Sequence, residues 1–185
     1  MRRWLDTLYA SALWASALCL CAIALLVGAQ LAGRLLDGTL VLLHLPRTDF
    51  VVLSLDEICG YLLAGASFLA LAGTLKAGAH IRVTMVLGFL SERARRVAEI
   101  WAFGFAAAAT GYMSWNLASF AWVSLQFHEV SSGVVRVPLC YPQAAMAAGA
   151  VMLTVALIDE FLVVVIRGRP SFRAAEDAIT LGKEG

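Results

Sequence analysis

Charge is what this sequence has least of. Asp, Glu, Lys and Arg make up 15% of its 185 residues, against about 25% in an ordinary soluble domain. The formal net charge is +1, and the basic residues form no stripe. Without one, the phosphate-neutralising attraction that nucleic acid binding needs is missing, which excludes nucleic acid as a partner. Cysteine is sparse as well. The four cysteines include no C-x-x-C spacing, and Cys19 and Cys21, two residues apart, point to different faces of a helix. Cys59 and Cys140 fall near the outer ends of two apolar stretches, so a disulfide and a pair of small apolar thiols both stay open. The three histidines, His44, His80 and His128, sit in loops or at the ends of apolar stretches. Haem held between helices needs histidines deep in facing spans, and a metal needs clustered ligands. No G-x-S-x-G, P-loop or H-E-x-x-H string occurs, so no catalytic residue, metal or cofactor is assigned. An internal repeat, the usual sign of a self-sufficient alternating-access carrier, is also missing.

What the chain has in quantity is apolar sequence, 61% of residues. Uncharged stretches cover residues 8–32, 58–75, 100–127 and 142–158, the last with an apolar extension over 161–166. About 20 apolar residues carry a helix across a hydrocarbon core of about 30 Å. Every backbone polar group must be satisfied within the lipid, so each stretch is expected to be helical. The expected fold is therefore all-α: an integral membrane domain over residues 1–170 with four transmembrane helices at about 8–32, 57–76, 99–127 and 140–166. A polar cytoplasmic tail follows over 171–185. The first stretch is far longer than the 7–15 apolar residues of a signal peptide, so it reads as a retained helix.

The basic residues set the orientation. With the N-terminus inside, Arg2, Arg3, Lys76, Arg82, Arg93, Arg95, Arg96 and the basic tail residues are cytoplasmic. Only Arg34, Arg47 and Arg136 are outside, as the positive-inside rule favours. Both termini are then cytoplasmic. The 33–55 loop, rich in leucine and ended by Pro46, reads as lying on or dipping into the outer interface. Residues 83–90, short and apolar between Arg82 and Arg93, read as an interfacial amphipathic segment between the second and third spans. Ser91 is placed to cap the helix that follows, with Glu92 near its positive end.

Ionisable residues inside spans are costly and therefore informative. Only Asp159 and Glu160 raise the question. They are either a buried pair gripping a cationic partner, such as one on another subunit, or the sign that the span ends near Ile158 at the inner interface. Neighbours on a helix diverge by about 100°, so the two cannot face one partner equally. Small residues, Gly60, Ala64, Gly65, Ala72 and Gly73 in the second span and Gly104, Ala107, Ala108 and Gly111 in the third, suit close helix packing.

Two strings carry more. Residues 56–83 open on Asp56 and Glu57, place Tyr61 one turn on, and close on Lys76 and G-A-H-I-R-V, which holds Gly78, His80 and Arg82. The acids suit the positive end of a helix, and Gly78 suits a left-handed cap. Residues 131–150 hold R-V-P-L-C-Y-P-Q, with Arg136, Pro142 and Gln143 leading into the fourth span. In this order the strings resemble the small membrane subunit (DctQ-like, Q subunit) of tripartite ATP-independent periplasmic (TRAP) transporters, over about residues 8–167. Cys140, where the family often has tryptophan, and Cys59-Gly60, where a basic residue often precedes the aromatic, are departures.

The resemblance implies a bacterial inner-membrane complex. A periplasmic substrate-binding protein captures an organic anion, and a large membrane subunit carries it, driven by an ion gradient, usually sodium. The small subunit extends the fixed scaffold. It also implies that Asp56, Glu57, Tyr61, Lys76, Gly78, His80, Arg82, Arg136, Pro142 and Gln143 face the large subunit, the binding protein or membrane lipid. Helix capping and membrane anchoring explain the same residues without a partner. Two other functions compete: a self-sufficient homo-oligomeric transporter, for which Asp159 and Glu160 would be the working carboxylates, and a membrane scaffold outside transport.

Overall fold

The computed structural model describes residues 2–76 and 91–167. Gly78, His80 and Arg82, the 83–90 segment and the 171–185 tail lie outside the described residues. Within them the chain forms four helices, α1 (Arg2–Leu42), α2 (Leu55–Lys76), α3 (Glu92–Gln126) and α4 (Cys140–Arg167). The described residues form no sheet, only one isolated bridge between Val130 and Pro138.

Three helices contain segments long and apolar enough to cross a membrane: Thr7–Leu42, Leu55–Lys76 and Cys140–Ile166. α3 is long enough but less apolar, because Tyr112, Ser114, Trp115, Asn116 and Ser119 dilute its alanines. Ser91 caps it as expected, its Oγ accepting from the Ala94 amide at 3.5 Å.

The first helix departs from its expected end. It runs without a break through 33–42, where the sequence suggested a loop. Arg34 and Asp37 end the apolar run, but charge does not end a helix. The isolated Gly33 and Gly38 cost only about 1 kcal/mol each against alanine. What stops α1 is a cap at His44, whose φ is 56°. There the amides of His44 and Leu45 donate to the carbonyls of Val41 (3.1 Å) and Leu40 (2.9 Å), a Schellman motif, and Pro46 follows. His128 (φ 51°) ends α3 in a similar way, with Glu129 N donating to Ser124 O at 3.0 Å. Two of the three histidines therefore occupy helix caps.

After the cap the chain doubles back along α1. The Thr48 amide and hydroxyl both donate to Asp37 Oδ1 (2.7 and 2.6 Å), and Val52 N donates to Gln30 Oε1 at 2.7 Å. Phe50 packs over Gly33. The part of α1 beyond Gln30 thus projects about 18 Å past the start of α2, at 1.5 Å per residue.

The helices pack in the order α1, α2, α4, α3, with α1 and α3 as flanks. Away from the one end where all four come together, the row of described helices stays open, and it leaves many large apolar side chains exposed. Lipid supplies no hydrophobic drive between helices, so close approach and hydrogen bonds must hold them together. Gly65 meets Ala145, Gly104 meets Phe161 and Gly111 meets Thr154, whereas Gly60 meets nothing. Gly73 lies close against the Leu13 side chain of α1, and Gly149 rests directly against the Phe68 and Leu69 backbone of α2. Ser16 Oγ donates to Ala66 O (2.8 Å) to join α1 to α2, and Ser114 and Thr154 join α3 to α4 at 3.0 Å.

Candidate functional site: polar clusters at the two ends of the helix layer

All four helices meet at one end, around Tyr9, Leu75, Phe103, Leu157 and Val164. Into this apolar cluster α4 inserts Glu160, whose side chain is fully buried. Lys76, the last residue of α2, reaches across to it. Its Nζ lies 2.6 Å from Asp159 Oδ2 and 3.2 Å from Glu160 Oε1. It also stands 5.9 Å from the centroid of the Tyr9 ring, at the outer limit of a cation–π contact. The two carboxylates do diverge around the helix: Glu160 points inward and Asp159 stays about a quarter exposed. A long lysine stem places one ammonium between them. α4 continues to Arg167, so the helix does not stop at Ile158.

α3 adds a second pair at the same end. Arg95 Nε lies 3.5 Å from Glu99 Oε1, one turn apart, with Glu99 buried. Arg96 donates to the Val165 carbonyl of α4 at 2.7 Å. The arrangement is an electrostatic clamp across α2, α4 and α3. The two buried carboxylates at this end, Glu99 and Glu160, each have a cation beside them, as burial of charge demands.

The other end is built on Glu57. Tyr61 Oη donates to Glu57 Oε1 at 2.9 Å. The second carboxylate oxygen is buried against Gly133, with no hydrogen-bond partner among the described residues. The connector 127–139 is tied to the start of α2, where Val135 N donates to Ser54 Oγ at 3.0 Å. It is also tied to itself through Ser131, which donates to Val135 O (3.1 Å) and accepts from Val137 N (3.2 Å). An open cleft of about 650 Å³ lies alongside, with Arg34, Asp56 and Glu57 in its lining.

Of the residues singled out in the sequence, the structure brings Lys76 together with Asp159 and Glu160, and Glu57 with Tyr61. Asp56 and Arg136 are exposed. Pro142 lies in the first turn of α4. Gln143 Oε1 is buried without a hydrogen bond among the described residues. Cys59 and Cys140 are free thiols. Sequence reasoning missed Tyr9, Glu99, Gly133 and Gly149. Only Glu99 carried a signal, an acid one turn after Arg95 at the edge of an apolar run. Among the described residues, no group of three or more His, Cys, Asp or Glu is placed to hold a metal.

Long apolar helices, with charges paired where the helices end, define a polytopic α-helical membrane protein. Residues 23–167 match the family described as Tripartite ATP-independent periplasmic transporters, DctQ component, and the chain belongs to that family. The match runs from within α1 to the end of α4. The family is a transporter component rather than a family of enzymes. No curated protein and no solved structure matches the chain.

Proposed function

We propose that this chain is the small permease subunit of a TRAP-type secondary transporter in the bacterial inner membrane. It pairs with the large membrane subunit as part of its fixed scaffold, and a periplasmic binding protein delivers an organic anion to that complex. All four helices cross the bilayer, α3 included, with both termini in the cytoplasm. The chain performs no chemistry of its own, and ion coupling belongs to the large subunit. The observation that carries this reading is the family match.

The geometry supports a frame better than a substrate path. A carrier needs polar groups free at mid-depth to receive its cargo. Between the packed helices, Ser114 and Thr154 bond each other, and Asp159 and Glu160 are held by the Lys76 ammonium at one end of the layer. An open layer of helices also leaves broad apolar faces for a neighbour.

Mild-detergent purification of the tagged chain from its native host, followed by mass spectrometry, tests the pairing. A larger polytopic protein is expected to co-purify, with a periplasmic binding protein captured by cross-linking. Recovery of the chain only as a homo-oligomer would overturn the reading.

A further inference from the structure

The outer face of α3 carries a regular ridge. Trp101, Phe105, Ala108, Tyr112, Trp115, Ser119 and Trp122 follow one another at alternating steps of four and three residues, and all seven are exposed. The five aromatics are between 60% and 75% exposed. This is the spacing of a seam that packs against a second helix at a shallow left-handed crossing. The seam extends about 32 Å at 1.5 Å per residue, the thickness of the hydrocarbon core. α3 is a flank of the layer and packs chiefly on α4, so none of the described helices covers the seam.

We infer that this aromatic seam is the docking face for a transmembrane helix of the large membrane subunit. The inference rests on the function proposed above, including the crossing of the bilayer by α3, and adds the surface that makes the contact. Three observations select the occupant. Tyr112 and Trp115 stand midway along the seam, and the Tyr112 hydroxyl and the Trp115 indole N–H have no hydrogen-bond partner among the described residues. Lipid tails offer no acceptor at that depth, whereas a protein helix can present one. The seam also alternates bulk and gaps: Trp101 and Phe105, then Ala108, then Tyr112 and Trp115, then Ser119, then Trp122. A second copy of this chain, inserted in the same direction and related by a two-fold axis along the membrane normal, would set each residue opposite itself. Tryptophan would meet tryptophan while serine met serine, and no single helix separation fits both. A different helix can place large side chains at Ala108 and Ser119. Finally, a hollow of about 380 Å³ at Ile100, Trp101, Gly104 and Phe105 continues the seam at one end.

The test is a benzophenone photo-cross-linker placed at Tyr112, Trp115 or Phe120 in the full chain, with all three components expressed together. Phe120 is exposed on the same helix but turned by about 100° from Ser119 of the seam. Tyr112 and Trp115 are expected to give an adduct at the summed mass of this chain and the large subunit, and Phe120 much less. Trp115→Ala and Tyr112→Ala are expected to cut recovery of the large subunit about tenfold, as loss of a central aromatic anchor does. An adduct at twice the mass of this chain would assign the seam to a second copy and overturn the inference. Equal labelling from all three positions, or none from Tyr112 and Trp115 while the unmodified chain still brings down the large subunit, would also overturn it and leave the proposed function standing. Failure of the unmodified chain to bring down the large subunit would remove both.

Discussion

Lys76→Met is expected to be among the most damaging single changes in this protein. The substitution keeps the length of the side chain and removes the ammonium that Asp159 and Glu160 share at 2.6 and 3.2 Å. Glu160 is fully buried, so its charge cannot turn to water. Breaking a buried pair from one side costs roughly 3–5 kcal/mol, because a desolvated charge is left behind. The effect should appear as a lower Tm in detergent and a smaller yield of the complex. The triple variant Lys76→Met, Asp159→Asn, Glu160→Gln removes both signs together and should recover most of the loss. Replacing a whole buried ion pair is often neutral, since its attraction barely exceeds its desolvation. A Lys76→Met protein as stable as the parent would show that the clamp contributes nothing.

Gly149→Ala should also be severe, and its sign is decided by two opposed effects. Within a helix, alanine is favoured over glycine by about 1 kcal/mol. At Gly149, however, the new Cβ would meet the Phe68 and Leu69 backbone of α2, which cannot rotate away as a side chain does. Forcing packed elements apart costs typically about 1–3 kcal/mol, occasionally more, so the contact outweighs the propensity. Gly60→Ala is the matched comparison, because a Cβ there meets nothing and only the gain remains. Thermal unfolding in detergent should rank Gly60→Ala at or above the parent and Gly149→Ala clearly below it. Equal stability of the two variants would mean that α2 and α4 do not approach as closely as described.

The helices were legible in the sequence because each is an apolar run bounded by charge. Their ends were less so. Arg34 and Asp37 mark where the apolar run stops, but α1 continues until His44 takes a left-handed conformation, a geometry with no strong residue signature when glycine is not used. α3 shows the converse: its charge-free run was easily seen, while its polar and aromatic content keeps it below the apolar threshold that the other three helices meet. The clamp was half visible. Asp159 and Glu160 stood out as acids in an apolar helix, and Lys76 as a base at a helix end. Nothing in a single sequence joins residues that lie 83 and 84 positions apart. Gly149 was hidden for a related reason, since a glycine among alanines discloses its purpose only when the facing backbone is known.

The central claim is that this chain frames a carrier and does not itself carry. Reconstitution in liposomes tests it most directly, with an inward sodium gradient and a radiolabelled organic anion chosen because the periplasmic binding protein retains it. No uptake is expected from this chain alone, and uptake is expected when the large subunit and the loaded binding protein are present with it. Uptake by this chain alone, abolished by Glu160→Gln, would contradict the account and make the buried carboxylate part of a transport path.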